Sequence, residues 1–300
     1  MEEKIKKMKR EKNAVVLAHN YQLPEIQDIA DFVGDSLELA KKAMQINAKK
    51  IFFCGVYFMA ETAAILNPEK EVYIPSEEAL CPLAASLDVE ELVEIQKKNP
   101  DALTVVYINT RAVAKKYADA ICTSANAPEI VCNAPSQKII FGPDANLAYY
   151  AKKKCPDKEI VAVPEDGHCY VHVCFRVEDI DEARKKHPDA ILIVHPECPP
   201  EIQEIADYIG STGQMVKLCG KLNAKKFLIG TEREMCYRLK KLYPDKEFIP
   251  IREDAICKQM KKITLKNLYE SMKEEKFLVK VHPNIAKGAR KAIERMLEGW

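Results

Sequence analysis

An internal repeat with a period of 88 residues constrains this chain more than any other feature of its sequence. Residues 19–36 align without a gap with residues 195–212, at an offset of 176. At half that offset, residues 107–124 keep an Ala-Asp pair and a closing Thr-Ser. A regular period of this kind predicts one structural unit that occurs three times. The same register also aligns three short apolar runs, at residues 51–55, 139–143 and 227–231.

The repeat divides the chain into three units and an extension. We expect units at residues 1–87, 88–175 and 176–263, with residues 264–300 packing on the first unit. Apolar runs alternate with helical patterns in each unit, which is typical of a parallel sheet covered on both faces. Right-handed crossovers then make each unit a three-layer αβα domain with a short parallel sheet. The predicted fold is therefore α/β, with three similar domains arranged about a pseudo-threefold axis and a central cavity.

The sequence of the first unit predicts the order in which helices and strands follow one another in each of the three units. Pro24 is expected in the first turn of a helix, where proline is favoured. The sequence of the extension predicts a helix from Thr264, a strand at residues 277–281 and a basic helix ending at Trp300. The elements predicted for the first unit are a helix near 2–11, strands at 14–18, 32–33, 51–54 and 72–74, a helix that begins at Pro24, and helices at 36–44 and 58–66.

Charge and hydropathy exclude several classes of partner. The formal net charge is +1, which gives no bulk field for nucleic acid or for an anionic membrane. The basic residues near the N-terminus alternate with glutamates and are typical of a solvated helix face. The longest apolar run, at residues 51–60, is too short to cross a bilayer, and the N-terminus lacks the apolar stretch of a signal peptide. We therefore expect a cytoplasmic protein.

The cysteines of this chain indicate metal binding. There are eleven, an odd number, and none are spaced as CxxC. Because the cytoplasm keeps thiols reduced, we expect no disulfide framework. Three cysteines, Cys81, Cys169 and Cys257, are separated by 88 and 88 residues, and each follows a strand and a short polar stretch. The carboxyl ends of parallel strands hold functional loops, so we expect these three thiols to meet at one central metal site.

Three thiolates leave one position of a metal centre open. A zinc site with three cysteines and one histidine, either His168 or His172, is one possibility. Iron–sulfur cubanes are usually held by four cysteines, so three ligands would leave one iron open to substrate. Such an iron can act as a Lewis acid on a hydroxyl or carboxylate, which suits the removal of water.

Polar residues recur at two further positions of the repeat. Hydroxyl groups at the start of a helix favour binding of phosphate or carboxylate, although Ser, Thr and Asp are also ordinary N-caps. The side chains after the first strand of each unit supply the donors, phenol and carboxylate that proton transfer needs. These residues are His19 and Tyr21, Tyr107 and Asn109, His195 and Glu197, and the doublets Asp35-Ser36, Thr123-Ser124 and Ser211-Thr212.

With these residues in place, the chain resembles the NadA family of quinolinate synthases. The matching motifs run nearly end to end in the order that the family has, and together they are highly specific. They are Ala18-His19-Asn20-Tyr21-Gln22, Gly34-Asp35-Ser36, Tyr107-Ile108-Asn109, Thr123-Ser124-Ala125-Asn126, Gly167-His168-Cys169, His195-Pro196-Glu197-Cys198-Pro199 and Gly210-Ser211-Thr212-Gly213.

The resemblance implies a cofactor and a reaction. The cofactor is one [4Fe–4S] cluster held by Cys81, Cys169 and Cys257, with one open iron, in agreement with the repeat. The reaction condenses iminoaspartate (iminosuccinate) with dihydroxyacetone phosphate to quinolinate in NAD biosynthesis, and releases phosphate and two waters without net redox change. A separate enzyme would supply the iminoaspartate.

By matching position, the resemblance also implies roles for individual residues. Tyr21 and Glu197 are candidates for acid–base catalysis, with His195 as a third. His172 lies three residues after a cluster ligand and is expected to line the cavity. The implied substrate-binding residues are His19, Ser36, Tyr107, Asn109, Ser124, His172, His195, Glu197, Ser211 and Thr212.

Two departures and two alternatives accompany the resemblance. Thr110 stands where serine is common after Asn109, and Cys257 is not part of the CxxCxxC motif that some members carry, so no thiol switch tied to that motif is expected. A cluster hydro-lyase acting on another small carboxylate would need no phosphate. A cluster-based sensor would show no turnover.

Overall fold

The structure, a computed structural model, describes residues 1–300 and contains three separate parallel sheets of four strands. Every sheet has the same order, in which the first strand of the unit lies between the second and the third, and the fourth lies at the far edge. The α/β prediction with three similar αβα units is confirmed. Each sheet lies within one of the three predicted ranges, whereas the boundaries of those ranges remain predictions.

The first sheet is built as the sequence predicts, to within one or two residues at each end. Val16, Leu17, Ile51 and Phe52 on its two central strands are fully buried, because helices cover both faces of the sheet. The elements are α1 (Glu2–Glu11), β1 (Ala14–His19), α2 (Pro24–Ile29), β2 (Phe32–Gly34), α3 (Ser36–Gln45), β3 (Lys50–Cys54), α4 (Tyr57–Leu66), β4 (Glu71–Tyr73) and, after Cys81, α5 (Pro82–Ser86).

The second unit repeats this order with shorter helices around its second strand. A short 3₁₀ helix, His172–Cys174, follows Cys169 in the place that α5 takes after Cys81. The elements are α6 (Val89–Lys98), β5 (Leu103–Tyr107), α7 (Ala112–Lys115), β6 (Ala120–Cys122), α8 (Ala127–Cys132), β7 (Lys138–Gly142), α9 (Ala145–Lys154) and β8 (Glu159–Ala162).

The third unit completes the set, and a 3₁₀ helix, Met260–Lys262, again follows the repeat cysteine, Cys257. Two further helices form the extension. The elements are α10 (Val177–Lys186), β9 (Ile191–Val194), α11 (Pro200–Ile205), β10 (Tyr208–Ile209), α12 (Thr212–Lys221), β11 (Lys226–Gly230), α13 (Glu234–Leu242), β12 (Glu247–Pro250), α14 (Leu265–Glu274) and α15 (Pro283–Glu298).

The Ala-Asp pair of the repeat has a structural role that is the same in every unit. Its aspartate lies just before the second strand, and its carboxylate accepts a hydrogen bond from a backbone N–H in the first strand. This bond fixes the turn that leads from the second helix of the unit into its second strand. The three bonds, each 2.8 Å long, are Val16 N to Asp31, Thr104 N to Asp119 and Leu192 N to Asp207.

A long polar side chain crosses from each unit to the next at one position of the repeat. Each of the three is buried, and each donates a hydrogen bond across the junction between two units. The contacts run in one sense around the molecule, from the first unit to the third, from the third to the second, and from the second to the first. They are Gln27 Nε2 to Glu234 O (3.4 Å), Gln203 Nε2 to Asn146 O (3.2 Å) and Lys115 Nζ to Thr62 Oγ1 (2.9 Å).

The extension differs from its predicted placement. Helix α14 packs on α1 of the first unit, as expected, but α15 packs mainly on β6 and α7 of the second unit and also touches α4. The physical reason is that β6 is an edge strand, and the apolar face of α15, with Ala289, Ile293 and Met296, covers that edge. The predicted strand at 277–281 is reduced to a single bridge between Leu278 and Tyr73.

One disulfide joins Cys132, at the end of α8, to Cys155, at the end of α9. The sequence predicted no disulfide framework, and this single disulfide corrects that expectation, with the other nine cysteines unpaired. Spacing could not reveal this pair, because the two cysteines become neighbours only when α8 and α9 pack side by side. None of the helices is both long and apolar enough to cross a bilayer.

We predict that the double variant Cys132→Ala/Cys155→Ala unfolds at a lower temperature than the wild-type protein. The disulfide closes a loop of 23 residues, and a loop of this length restricts the unfolded chain by about 3 kcal/mol. Thermal unfolding with and without a reductant measures the effect. Reductant should lower the unfolding temperature of the wild type and leave that of the variant unchanged. Eleven titratable thiols in the denatured, unreduced, metal-free wild type would contradict this prediction.

Candidate active site

A cavity lies at the point where the carboxyl ends of the strands of all three sheets meet. This is the edge at which functional loops of parallel sheets are found. The cavity is lined by nearly all the residues singled out by the repeat, from all three units. They are His19, Tyr21, Ser36, Cys81, Tyr107, Asn109, Ser124, Cys169, His172, His195, Glu197, Thr212 and Cys257.

The thiols of Cys81, Cys169 and Cys257 all line this one cavity. Burial raises the pKa of the Cys169 thiol well above its usual range, and Glu197, Cys81 and Cys257 raise that pKa further. Burial likewise raises the pKa of Cys81 to about 12, with a contribution from Cys257. Three thiols that share one buried cavity can ionise together only beside a cationic centre. Because thiolates are the ligands that iron–sulfur clusters take, this donor set fits a cluster.

A second group of possible metal ligands overlaps the thiols. The ligand atoms of Cys169, His172 and Glu197 all lie within 4.8 Å of one another. Of the two histidines considered for a zinc site, only His172 reaches the cavity, because His168 is exposed and its Nδ1 lies 2.8 Å from the carbonyl oxygen of Asp166. The structure therefore restricts any mixed cysteine–histidine site to His172.

His19 and His195 are held in the same way at equivalent positions of the first and third units. The backbone N–H of Tyr21 donates to Nδ1 of His19 at 3.2 Å, and that of Glu197 donates to Nδ1 of His195 at 3.3 Å. Burial lowers the pKa of both imidazoles to about 3. Both rings are therefore neutral at physiological pH and carry their proton on Nε2. Each can donate that proton in a hydrogen bond to a substrate oxygen.

Glu197 is the most extensively hydrogen-bonded carboxylate of the cavity. Its Oε1 accepts from the hydroxyl of Tyr107 and from Nδ2 of Asn109 at 3.4 Å, and its Oε2 lies 2.7 Å from Nδ1 of His172. Burial alone would raise the pKa of Glu197, but His172, His195 and the hydrogen bond from Tyr107 lower this pKa below its usual range. Glu197 is therefore ionised at neutral pH and places a negative charge in the cavity.

Tyr21 is joined to Glu197 through two intermediate side chains. Its hydroxyl lies 2.5 Å from Oγ1 of Thr231, which lies 2.8 Å from Nε2 of His172. Burial raises the pKa of Tyr21 well above its usual range, so the phenol keeps its proton. The result is a continuous chain of polar groups from Tyr21 through Thr231 and His172 to Glu197.

Thr231 and Asn20 do not line the cavity but contact residues that do, and they were not predicted to be functional. Thr231 is fully buried at the end of the third strand of its unit, where the other two units carry glycine and proline. Asn20 donates from Nδ2 to Oγ1 of Thr212 at 2.8 Å and so orients that hydroxyl. The only sequence signal for Thr231 is that it is polar at a repeat position where the other units have Gly or Pro. The only sequence signal for Asn20 is its place in a motif.

The N-termini of α3 and α12 meet beside the cavity. Asp35 caps α3, Ser211 caps α12, and Oγ of Ser211 donates to Oδ2 of Asp35 at 3.0 Å. Ser211 does not line the cavity, whereas Ser36 and Thr212, the next residues of the two helices, do. A side chain on Gly213 would lie 2.5 Å from the Asp35 carboxylate, so only glycine allows the two helix ends to approach this closely.

Comparison with known proteins agrees with this arrangement. A family model described as NadA, quinolinate synthetase A protein, matches residues 3–298. The chain belongs to the NadA family. A protein of Pyrococcus horikoshii named quinolinate synthase is 56% identical over 296 residues, covering 99% of this chain and 98% of that protein. Proteins with the same name in Thermococcus kodakarensis and Thermotoga maritima are 55% and 51% identical, and each alignment covers 99% of this chain.

The resemblance to the NadA family deduced from the sequence is therefore confirmed. The alignments also cover 97% of the Thermococcus kodakarensis protein and 99% of the Thermotoga maritima protein. Since these relatives are enzymes, this NadA-family chain is an enzyme as well.

We predict that His19→Asn makes the stability of this NadA-family protein less sensitive to acid. The pKa of His19 is about 3 when folded, and an unfolded histidine has a pKa of about 6.5. As the pH falls through this interval, the unfolded chain takes up a proton that the folded protein does not, so the wild type loses stability. The metal-free variant should lose about 3 kcal/mol less than the metal-free wild type between about pH 7 and about pH 4.5.

Urea unfolding at a series of pH values measures this difference. The matched control is His282→Asn, because Nδ1 of His282 also accepts a backbone N–H, from Asn284, but the ring is exposed. The control should follow the pH dependence of the wild type. Parallel curves for wild type and His19→Asn would contradict the prediction.

Proposed function

We propose that this chain condenses iminoaspartate with dihydroxyacetone phosphate to quinolinate, releasing phosphate and two waters. The observation that carries the proposal is that Cys81, Cys169 and Cys257, one from each unit, line a single cavity together with neutral histidines and an ionised glutamate. The names of the NadA relatives support it. The pathway is de novo NAD biosynthesis in the cytoplasm, with iminoaspartate supplied by a separate enzyme.

The three cysteines would hold one [4Fe–4S] cluster, leaving one iron without a protein ligand. When bound, such a cluster supplies a Lewis acid that polarises a substrate hydroxyl or carboxylate. The cluster is favoured over a single metal ion on Cys169, His172 and Glu197 because both oxygens of Glu197 already have partners in Tyr107, Asn109 and His172.

The substrates are anions, and the cavity offers neutral donors at several of its walls. His19 and His195 present Nε2–H, while Ser36 and Thr212 present hydroxyls at the N-termini of α3 and α12. A helix N-terminus favours phosphate or carboxylate through its free N–H groups. Neutral donors bind the phosphate group by hydrogen bonds without neutralising its charge. The phosphate that the reaction releases can therefore leave the cavity. Ser124, Tyr107 and Asn109 would complete the binding surface from the second unit, with Ser211 as a helper that fixes α12.

Proton transfer is assigned to Glu197 and Tyr21, with His195 as a third group. Glu197 is ionised, so it can remove a proton from a substrate carbon next to a carbonyl or imine. Tyr21 keeps its proton and can give it to a departing hydroxyl. Thr231 and His172 lie between the two groups, so a proton taken by Glu197 can return to Tyr21 through the hydrogen bonds of Thr231 and the 2.7 Å contact between Nδ1 of His172 and Oε2 of Glu197.

We predict that anaerobically purified protein contains about four irons and four sulfides per chain and forms quinolinate from the two substrates. Metal and sulfide analysis and a chromatographic assay for quinolinate check this directly. A colourless protein with one zinc would support the mixed site at His172 and rule out the cluster. A brown protein that hydrates or dehydrates another carboxylate without dihydroxyacetone phosphate would favour a hydro-lyase. Spectra that respond only to oxidant, without turnover, would favour a sensor.

Replacing any one of Cys81, Cys169 or Cys257 with alanine should abolish the cluster and the activity, because two thiolates cannot retain the cubane. Iron content and the visible absorption of anaerobic preparations are the measurements. The matched control is Cys132→Ala, at a cysteine away from the cavity, which should keep its iron. A variant of the three that keeps four irons and wild-type turnover would contradict the ligand set.

A further inference from the structure

A buried ion pair lies behind the cavity wall in the third unit. Oε1 of Glu232 and Nζ of Lys261 are 2.6 Å apart, and the side chain of Glu232 is completely buried while that of Lys261 is 15% exposed. Neither residue lines the cavity. Burying two charges is costly, and such a pair is weak evidence of a contribution to stability. Its presence therefore calls for a reason other than folding.

The pair connects two parts of the active site that belong to different units. Oε1 of Glu232 accepts the backbone N–H of Cys257 at 3.2 Å, and its Oε2 accepts that of Glu234 at 2.9 Å. Nζ of Lys261 donates to the backbone carbonyl of Tyr21. A single ion pair thus holds the loop of a metal-binding cysteine from the third unit and the segment of the catalytic phenol from the first.

Comparison among the three units separates this role from folding. At the position of Glu232 the other units have Val56 and Asp144, and at the position of Lys261 they have Ala85 and Val173, so neither has the pair. Asp144 is fully buried and caps α9 through Leu147 N at 2.7 Å. Both units nevertheless form the same sheet with the same strand order. A unit of this type therefore folds without such an ion pair. In the third unit, the pair contacts the backbone of Tyr21 in the first unit.

We propose that Glu232 and Lys261 are positioning residues that hold the Cys257 loop and the Tyr21 backbone in one fixed relation. The proposal rests on the proposed function, because it assigns Cys257 to a metal centre and Tyr21 to proton transfer. The adjacent residue Thr231 contacts the hydroxyl of Tyr21, so the segment 231–232 fixes this phenol at its hydroxyl and, through Lys261, at its backbone.

The test uses Lys261→Met, which keeps the length of the side chain and removes its charge, and Glu232→Gln, which keeps its shape. The readouts are kcat and KM for quinolinate formation, the rate at which a chelator removes iron, and the rate of alkylation of Cys257 in the metal-free protein. Loss of a group that orients a metal ligand typically costs about 10- to 100-fold in metal affinity or activity. We expect a loss of this size in kcat with KM nearly unchanged, and faster iron loss and faster alkylation of Cys257. Lys261→Arg should restore most of the wild-type values.

The double variant Glu232→Gln/Lys261→Met keeps the test decisive if a single variant fails to fold. It leaves no unpaired buried charge, so it should fold, yet it should show the same loss in kcat and the same faster iron loss. The matched control is Arg252→Met, which removes partly exposed ion pairs with Asp179 (3.1 Å) and Asp254 (2.7 Å) shortly before Cys257 and should change none of these values.

Two results would overturn the proposal. One is a double variant with wild-type kcat and wild-type iron loss. The other is a set of variants that unfold at lower temperature while kcat, iron loss and alkylation of the folded protein stay as in the wild type. Failure of the proposed function gives a different result, namely no quinolinate from the wild type itself. In that case the alkylation of Cys257 in the metal-free protein still tests the positioning.

Discussion

The direction of the parallel strands is the constraint on which the rest of this structure depends. All four strands of a sheet end at the same edge, so the residues that follow them lie close together in space although they are far apart in the sequence. Three such edges meet because Gln27, Lys115 and Gln203 each cross to the next unit in one sense around the molecule. The cavity is the consequence of that closure, and no single unit contains it.

Burial sets the charge of each group in the cavity. It keeps His19 and His195 neutral and Tyr21 protonated, while the neighbours of Glu197 keep that carboxylate ionised. The cavity therefore combines neutral donors with the negative charge of Glu197 and three thiols. Such an arrangement favours a cationic metal centre close to Glu197 and allows anionic substrates to bind by hydrogen bonds from neutral groups.

The sequence was most informative where all three copies had to meet the same demand. The repeat predicted three similar units, the central cavity and most of its lining residues, because equivalent positions must face one centre, but it did not predict the order of the strands within a sheet. The repeat could not predict contacts made by a single copy, such as Asn20 with Thr212 or Glu232 with Lys261, since the other units have apolar residues at the positions of Asn20 and Lys261. The placement of α15 and the Cys132–Cys155 bond could not be predicted from the repeat either, because both depend on how elements distant in sequence pack together.

The central claim is that thiolates from three equivalent loops hold one cluster and leave a single iron to the substrate. Mössbauer spectroscopy of protein enriched in ⁵⁷Fe, recorded with and without quinolinate, tests it most directly. The account predicts that about one quarter of the iron changes its spectrum on addition of quinolinate while about three quarters, held by Cys81, Cys169 and Cys257, does not. A response shared equally by all the iron, or no response in protein that forms quinolinate, would contradict it.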